Sequence, residues 1–306
     1  MNLREGSTVI IIVGPTASGK TPLSLALAQY LNTEIISADS RQCFRELNIG
    51  VAKPSEEELQ LVKHHFINSH SVYDTVNAQV FEQYALNAVD EIFKSNQYAV
   101  MVGGTGLYIK AFCDGLDEIP PVNDKIRDYI TAQYQTNGLL WLQQEVMNND
   151  PEFWKAGEQQ NPHRLIRALE IKLGTGESIL SFRKKKPVQR AFKIIKIGID
   201  LSREQLYHNI NKRVDDMIGK GLAAEVEALM PIRQLNALQT VGYKELFNFF
   251  DGKCSLEKAI SQLKLNTRHY AKRQITWFKK DTSIYWEPIF DKGSIDFLLQ
   301  KATQEL

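Results

Sequence analysis

Thr8-Val-Ile-Ile-Ile-Val13 runs without a break into Gly14-Pro15-Thr16-Ala17-Ser18-Gly19-Lys20-Thr21, and that junction constrains the fold more than any other part of the 306 residues. A continuous β-branched, apolar run is the mark of a parallel strand covered on both faces. The next eight residues fit the pattern Gly-x4-Gly-Lys-[Ser/Thr], and beyond them Leu23, Ala26, Leu27, Tyr30 and Leu31 recur at helical spacing. Strand, glycine-bounded loop and helix in that order make a phosphate-binding loop. The glycines let the chain curl so that successive N–H groups and the helix N-terminus face one anion. Lys20 adds a positive charge, and the Thr21 hydroxyl is a ligand for Mg2+. A chance match is expected on the order of once in a hundred chains of this length. A glycine-rich turn with no ligand is the alternative reading, and the strand–loop–helix context argues against it.

Glu34-Ile-Ile-Ser37 and Tyr98 to Val102 read as further strands, with a helix between them whose Phe81, Tyr84, Ala85, Ala88, Val89 and Ile92 share one face. That alternation predicts an α/β fold with a P-loop NTPase-like parallel sheet. Around Asp117 it stops: Ile119-Pro-Pro121 is a boundary, and mostly helical sequence follows until Phe192 to Ile199 returns as a strand. The expected division is an α/β core of residues 1–117 and 192–306 and a helical insertion domain of residues 118–191. Ser202 with Gln205 predicts a capping box, followed by an apolar stripe of Leu206, Ile210, Val214 and Met217. Further helices fill residues 222–280, and Ile284-Tyr-Trp286 is a late strand.

Composition serves mainly to exclude. With 43% hydrophobic and 24% charged residues, the chain is neither disordered, collagen-like nor a coiled coil. The longest apolar runs fall far short of the roughly 18 residues of a membrane helix, and no secretory segment opens the sequence. Cys43, Cys113 and Cys254 are widely spaced and make neither a disulfide framework nor a zinc site, which fits a cytoplasmic protein. The formal net charge of +1 does not by itself point to nucleic acid.

Binding a diphosphate is not hydrolysing a nucleotide. ATP-binding and other nucleotide-hydrolysing P-loop proteins usually end an apolar strand in an Asp that holds the metal, whereas Tyr98-Ala-Val-Met-Val102 ends in Gly103-Gly104-Thr105. Asp39, just after the second strand in Ser37-Ala-Asp-Ser-Arg-Gln42, projects from the carboxyl edge where open α/β sheets bind ligands. It is placed to accept a proton from an acceptor group; a helix-capping Asp is the alternative.

The cations are clustered. Arg183 to Lys196 holds seven Lys and Arg and no acid, and Lys264 to Lys280 holds six, interleaved with His269, Tyr270, Trp277 and Phe278. On a helix Arg268, Lys272 and Lys279 share one side while Ala271, Ile275 and Phe278 line another. Acid-free runs in a neutral protein point to a phosphate backbone, against the plainer account of a solvated basic face. His163, Arg164 and Arg167 also face one way. His64, His65 and His70 have no partners at metal-ligand spacing and read as structural or loop histidines.

With these residues assembled, the chain resembles the tRNA dimethylallyltransferase (tRNA isopentenyltransferase) family over about residues 8–290. The motifs that carry the likeness appear in order: the phosphate loop; Asp39-Ser-Arg-Gln42; Ile49-Gly-Val-Ala-Lys-Pro54; Val102-Gly-Gly-Thr-Gly-Leu-Tyr108; Asn161-Pro-His-Arg-Leu-Ile-Arg-Ala-Leu-Glu170; Val241-Gly-Tyr-Lys-Glu245; and Arg268-His-Tyr-Ala-Lys-Arg-Gln-Ile-Thr-Trp-Phe278. Cys43 and Phe44 stand where the family often has Val-Tyr, and Val51 where Thr is frequent.

The resemblance implies transfer of a dimethylallyl group from dimethylallyl diphosphate to N6 of adenine at tRNA position 37, 3′ of the anticodon, with release of diphosphate. It implies that Gly14, Pro15, Thr16, Ala17, Ser18, Gly19, Lys20 and Thr21 hold the donor diphosphate with Mg2+. By the same likeness Asp39 is general base or anchor for the adenine, and Arg213 neutralises the diphosphate. The segments that touch the tRNA anticodon stem-loop would be Asp39, Ser40, Arg41 and Gln42; Thr105; Arg127; His163, Arg164, Leu165, Ile166 and Arg167; Gly242 and Lys244; and Arg268, Lys272, Arg273 and Gln274. A monomer with no membrane association is the expected state. Two rivals stay open: an adenylate isopentenyltransferase acting on free AMP, ADP or ATP, and a small-molecule kinase in which Asp39 activates a hydroxyl.

Overall fold

The computed structural model describes residues 6–183 and 186–288. Two compact units divide the chain, one formed by the residues up to Cys113 together with those from Gln189 onward, the other by Asp114–Val188.

The first unit is built on β1 (Thr8–Val13), α1 (Lys20–Tyr30), β2 (Ile35–Ala38), α2 (Glu56–Leu61), β3 (His64–His65), α3 (Ala78–Ser95), β4 (Tyr98–Gly103) and α4 (Gly106–Asp114). The second contributes α5 (Asp124–Asn149), α6 (Pro151–Ala156), α7 (Pro162–Thr175) and α8 (Ile179–Phe182). The chain then returns to the first unit with β5 (Lys193–Asp200), α9 (Arg203–Gly219), α10 (Leu222–Ala228), α11 (Tyr243–Phe250), α12 (Leu256–Phe278) and β6 (Ile284–Pro288).

The six strands form one sheet in the order β3-β2-β4-β1-β5-β6, and every pairing is parallel. All of β1 is buried. Because side chains alternate across a sheet, Val9, Ile11 and Val13 enter one core and Ile10 and Ile12 the other. The second core is closed by Leu23, Leu27 and Ala28 of α1; the first, by Phe81, Ala85, Val89 and Ile92 of α3 with Leu263 and Phe278 of α12. At roughly 1.5–3 kcal/mol for each large aliphatic side chain fully buried, such a strand cannot tolerate a register slip that moves its residues to the opposite face.

Sequence spacing predicts both cores well. The second strand lies one residue later than expected, and the late strand extends to Pro288. Sequence gives no sign of β3: two histidines pair with Ile35 and Ile36 at the sheet edge, too few residues to show any periodicity. Ser202 caps α9 by accepting from the Gln205 N–H at 3.2 Å, whereas a complete capping box forms at Ser55 and Glu58 in α2.

In the second unit α5 is two helices joined at Gly138, whose φ of 76° no other residue type adopts easily. Ile130, Leu142 and Val146 of α5 pack on Leu165, Ala168, Leu169 and Ile171 of α7 and on Phe153 of α6, giving this unit a core of its own.

Register places the site. Val13 pairs with Gly103, and Gly103 with Ala38. The chain therefore leaves β1, β2 and β4 at one carboxyl edge, which sets Gly14, Asp39 and Gly104 side by side.

Candidate active site

The phosphate loop leaves β1 and feeds α1. Ala17 sits in the left-handed region at φ 62°, an uncommon conformation for a residue with a Cβ and one that clusters at functional sites. Lys20 Nζ donates to the Pro15 carbonyl at 2.6 Å, so its ammonium is folded back over the loop. Burial, and after it the positive charge of Arg213, push Lys20 down to about 7, with Asp39 acting in the opposite direction. Two buried cations set near one another, Lys20 and Arg213, make a seat that an anion would fill.

Arg213 reaches the loop from α9: Nη1 donates to Thr16 Oγ1 at 3.0 Å. Burial holds its guanidinium below the usual arginine range, again against the pull of Asp39. The cationic wall opposite Lys20 therefore comes from an element far away in sequence.

Asp39 Oδ1 accepts from the N–H groups of Arg41 at 2.8 Å and Gln42 at 3.3 Å, a tight turn that fixes the carboxylate. Its Oδ2 has no protein partner among the described residues. Thr105 Oγ1 accepts from the Ser40 N–H at 3.1 Å, tying the β2 and β4 turns together. Burial, and then the Asp39 charge, push the Tyr270 phenol up to about 12.

Two clefts meet here. One is lined by Thr16 to Pro22, Ser37, Asp39, Gln42, Gly103, Gly104, Arg213, Tyr270 and Gln274. The other is lined by Ser40, Arg41, Gly50, Val214, Met217, Val241, Gly242 and Leu263. Thr16, Asp39, Val51, Ala52, Arg213 and Tyr270 belong to both. The arrangement offers a cationic seat suited to a phosphate anion, a chamber of mixed polar and apolar lining beside it, and one carboxylate at the junction. Thr21 is on the phosphate-loop side, and no group of three or more His, Cys, Asp or Glu side chains forms a metal cage among the described residues. A lone hydroxyl suits Mg2+, which keeps most of its waters and takes further ligands from substrate phosphates.

The predicted site residues separate into three groups. Thr16 to Thr21, Asp39, Ser40, Arg41 and Arg213 line the clefts, whereas Gly14, Pro15 and Thr105 are not among the lining residues. Gln42 and Gln274 are brought there too, but as braces. Gln274 is buried, accepts from the Thr16 N–H at 2.8 Å and donates to the Gly104 carbonyl at 2.9 Å. A Cβ on Gly104 would meet its amide nitrogen at 2.1 Å, so only glycine admits the bridge. Gln42 accepts from Ser37 Oγ at 3.0 Å and donates to the Val51 and Ala52 carbonyls at 3.3 and 2.9 Å. Their amides are committed to partners within the protein.

Among the remaining residues, Lys244, Lys272 and Arg273 are exposed, Gly242 is buried at the N-terminus of α11, and Arg268 donates to Asn211 Oδ1 at 2.8 Å while lying on the Tyr207 ring. In the second unit Arg127 and Arg167 both face the buried Glu170, at 3.8 and 2.9 Å, and Arg164 pairs with Glu158 at 2.9 Å. His163 is exposed and Ile166 half-buried. Leu165 is wholly buried in that unit's core, so it shapes the helix and offers no side chain to a partner.

The first basic run is also less available than its composition indicates. Arg190 is committed to Glu82 and to the Phe112 and Ala111 carbonyls, and Lys196 to Asp281; Lys184 and Lys185 lie outside the described residues. Among the histidines, His64 lines the phosphate-loop cleft, a position its sequence context does not reveal.

The sequence profile of the IPP transferase family matches residues 42–281. The chain belongs to the IPP transferase family. Within this family it is 51% identical to the tRNA dimethylallyltransferase of Christiangramia forsetii over 94% of each chain, and 48% identical to that of Flavobacterium psychrophilum over 91% of this chain and 92% of the relative. Among solved members, the tRNA isopentenylpyrophosphate transferase of Bacillus halodurans is 34% identical with a TM-score of 0.73, covering 98% of this chain and 96% of its own. A eukaryotic dimethylallyltransferase caught acting on tRNA gives a TM-score of 0.79 at 25% identity, over 97% of this chain and 78% of that one. The P-loop NTPase-like core read from β1 and its loop is therefore the fold of a prenyl-transferring family.

Proposed function

We propose that this enzyme transfers the dimethylallyl group of dimethylallyl diphosphate to N6 of adenine at tRNA position 37 and releases diphosphate. One observation carries the reading: the Lys20–Arg213 cationic seat and the Asp39 carboxylate share one junction between two clefts. The tRNA dimethylallyltransferase names of the relatives support it.

An allylic diphosphate ionises readily, so the protein has mainly to stabilise the departing anion and hold a nucleophile in line. Lys20, Arg213 and the loop N–H groups bind the diphosphate. The C1–O bond breaks with its electron pair leaving on the diphosphate; the N6 lone pair bonds to C1; the N6 proton passes to Asp39 Oδ2. Mg2+ bound through the Thr21 hydroxyl would lower the charge on the leaving group. The adenine must leave its stack to reach the junction. Exposed Lys272 and Arg273 on α12, and the arginines of α7, supply phosphate contacts to the anticodon stem-loop. The enzyme works in the cytoplasm as a monomer; no helix among the described residues is long and apolar enough to cross a membrane.

The test offers labelled dimethylallyl diphosphate to unmodified tRNA, to AMP and to no acceptor. Label on tRNA alone is expected. Label on AMP but not on tRNA would overturn the reading in favour of an adenylate isopentenyltransferase.

A further inference from the structure

The geometry points to Glu225 of α10 as a positioning residue for the transfer, one that sets the 49–53 loop against Asp39. This rests on the reading just given. Glu225 Oε2 accepts from the Ile49 N–H at 2.7 Å, and Oε1 accepts from the Gly50 N–H at 3.0 Å. The same Oε1 accepts from the Tyr243 hydroxyl at 2.6 Å, and Tyr243 is wholly buried at the start of α11. One carboxylate therefore takes three hydrogen bonds and anchors a loop without regular structure to two helices. Hydrogen bonds to an ionised acceptor are roughly twice as strong as neutral ones.

The anchored loop forms part of the reaction site. Val51 and Ala52 line both clefts, and Ala52 is in the left-handed region at φ 49°. A strained residue persists only where its surroundings over-determine it. On the side away from Glu225, the Gln42 amide holds the Val51 and Ala52 carbonyls, while the Gln42 N–H is one of the two donors that fix Asp39 Oδ1. Glu225, the 49–52 backbone, Gln42 and Asp39 thus form one hydrogen-bonded series. Gly50 packs flat on Tyr243, where an added Cβ would meet the ring at 2.7 Å. The loop has one seat, and Glu225 defines it.

Glu225 touches neither diphosphate nor the reacting atoms, so its loss should act on turnover more than on binding. In Glu225→Gln the amide nitrogen would face a backbone N–H, leaving one loop donor without an acceptor. Gly50→Ala displaces the same loop from the Tyr243 side without touching the carboxylate. The experiment measures steady-state transfer to tRNA for wild type and both variants, with KM for dimethylallyl diphosphate, tRNA affinity and thermal midpoint. The expected result is a kcat lower by about tenfold or more in both variants, since sub-ångström displacement of a reacting pair is costly, with KM and tRNA affinity within about twofold. Wild-type kcat in either folded variant would overturn the inference. So would a loss shared equally by kcat, KM and tRNA affinity, the pattern of general loosening. If Glu225→Gln does not fold, Gly50→Ala decides alone on the same criteria. Failure of wild type itself to modify tRNA would instead strike the proposed function.

Discussion

Arg213 Nη1 donates to Thr16 Oγ1 at 3.0 Å, so a guanidinium from α9 closes the phosphate loop across 197 residues of sequence. The contact makes the anion seat two-sided, with Lys20 from the loop itself and Arg213 from the far side. A diphosphate held this way has its developing charge met by groups already in place. Arg213→Ala should lower kcat/KM for dimethylallyl diphosphate by on the order of 100-fold, in line with the loss of one preorganised cation. Direct tRNA binding, measured without the donor, should be unchanged.

Lys20 gives a pH-dependent signature. Its folded value of about 7 lies below the ordinary 10.5, so the unfolded chain binds more protons between those limits. The burial penalty is therefore full below pH 7 and fades as pH rises toward 10.5. Lys20→Met should have a higher thermal midpoint than wild type at pH 6, with the gap closing over that window. Binding has the opposite need: a diphosphate favours the charged ammonium. KM for the donor should therefore climb above pH 7 in wild type, by up to about tenfold per pH unit, and the variant should have lost that slope along with most of its activity. A wild-type midpoint at or above that of Lys20→Met at pH 6 would contradict this account.

Asp39→Asn keeps an oxygen for the Arg41 and Gln42 N–H groups and removes the proton acceptor. General bases contribute about 10²–10⁴-fold. Turnover should fall by at least about 100-fold while tRNA affinity and thermal midpoint stay near wild type. A folded variant with normal turnover would remove Asp39 from the chemistry.

How much of this could be read from the sequence depended on the range of the interactions. The phosphate loop, the buried strands and the Asp39 turn are local: a β-branched run, two glycines and a polar tetrapeptide carry their own signal. The β3 histidines carried none, because two residues have no period. Arg213 was placed through family likeness; its spacing on α9 does not show that it reaches Thr16. Gln42 and Gln274 were placed in RNA-touching segments through family likeness, which does not show that their amides hold partners in other elements. One clue was available for Gln274. With Ala271, Ile275 and Phe278 it falls in the apolar stripe of α12, where a polar side chain implies an internal partner.

Gln274 and Lys272, two residues apart on α12, therefore separate bracing from RNA contact. Gln274→Leu leaves the Thr16 N–H without an acceptor beneath the loop, and a buried unsatisfied donor costs about 1–3 kcal/mol. It should lower the thermal midpoint and weaken the donor's kcat/KM, with RNA affinity nearly intact. Lys272 is exposed and has no ionic partner among the described residues. Lys272→Ala should leave stability and donor kinetics unchanged, weaken tRNA binding, and reduce the slope of log affinity against log salt by about 1. Binding measured across a salt series decides: an unchanged slope for Lys272→Ala, or a reduced one for Gln274→Leu, would reverse the two roles.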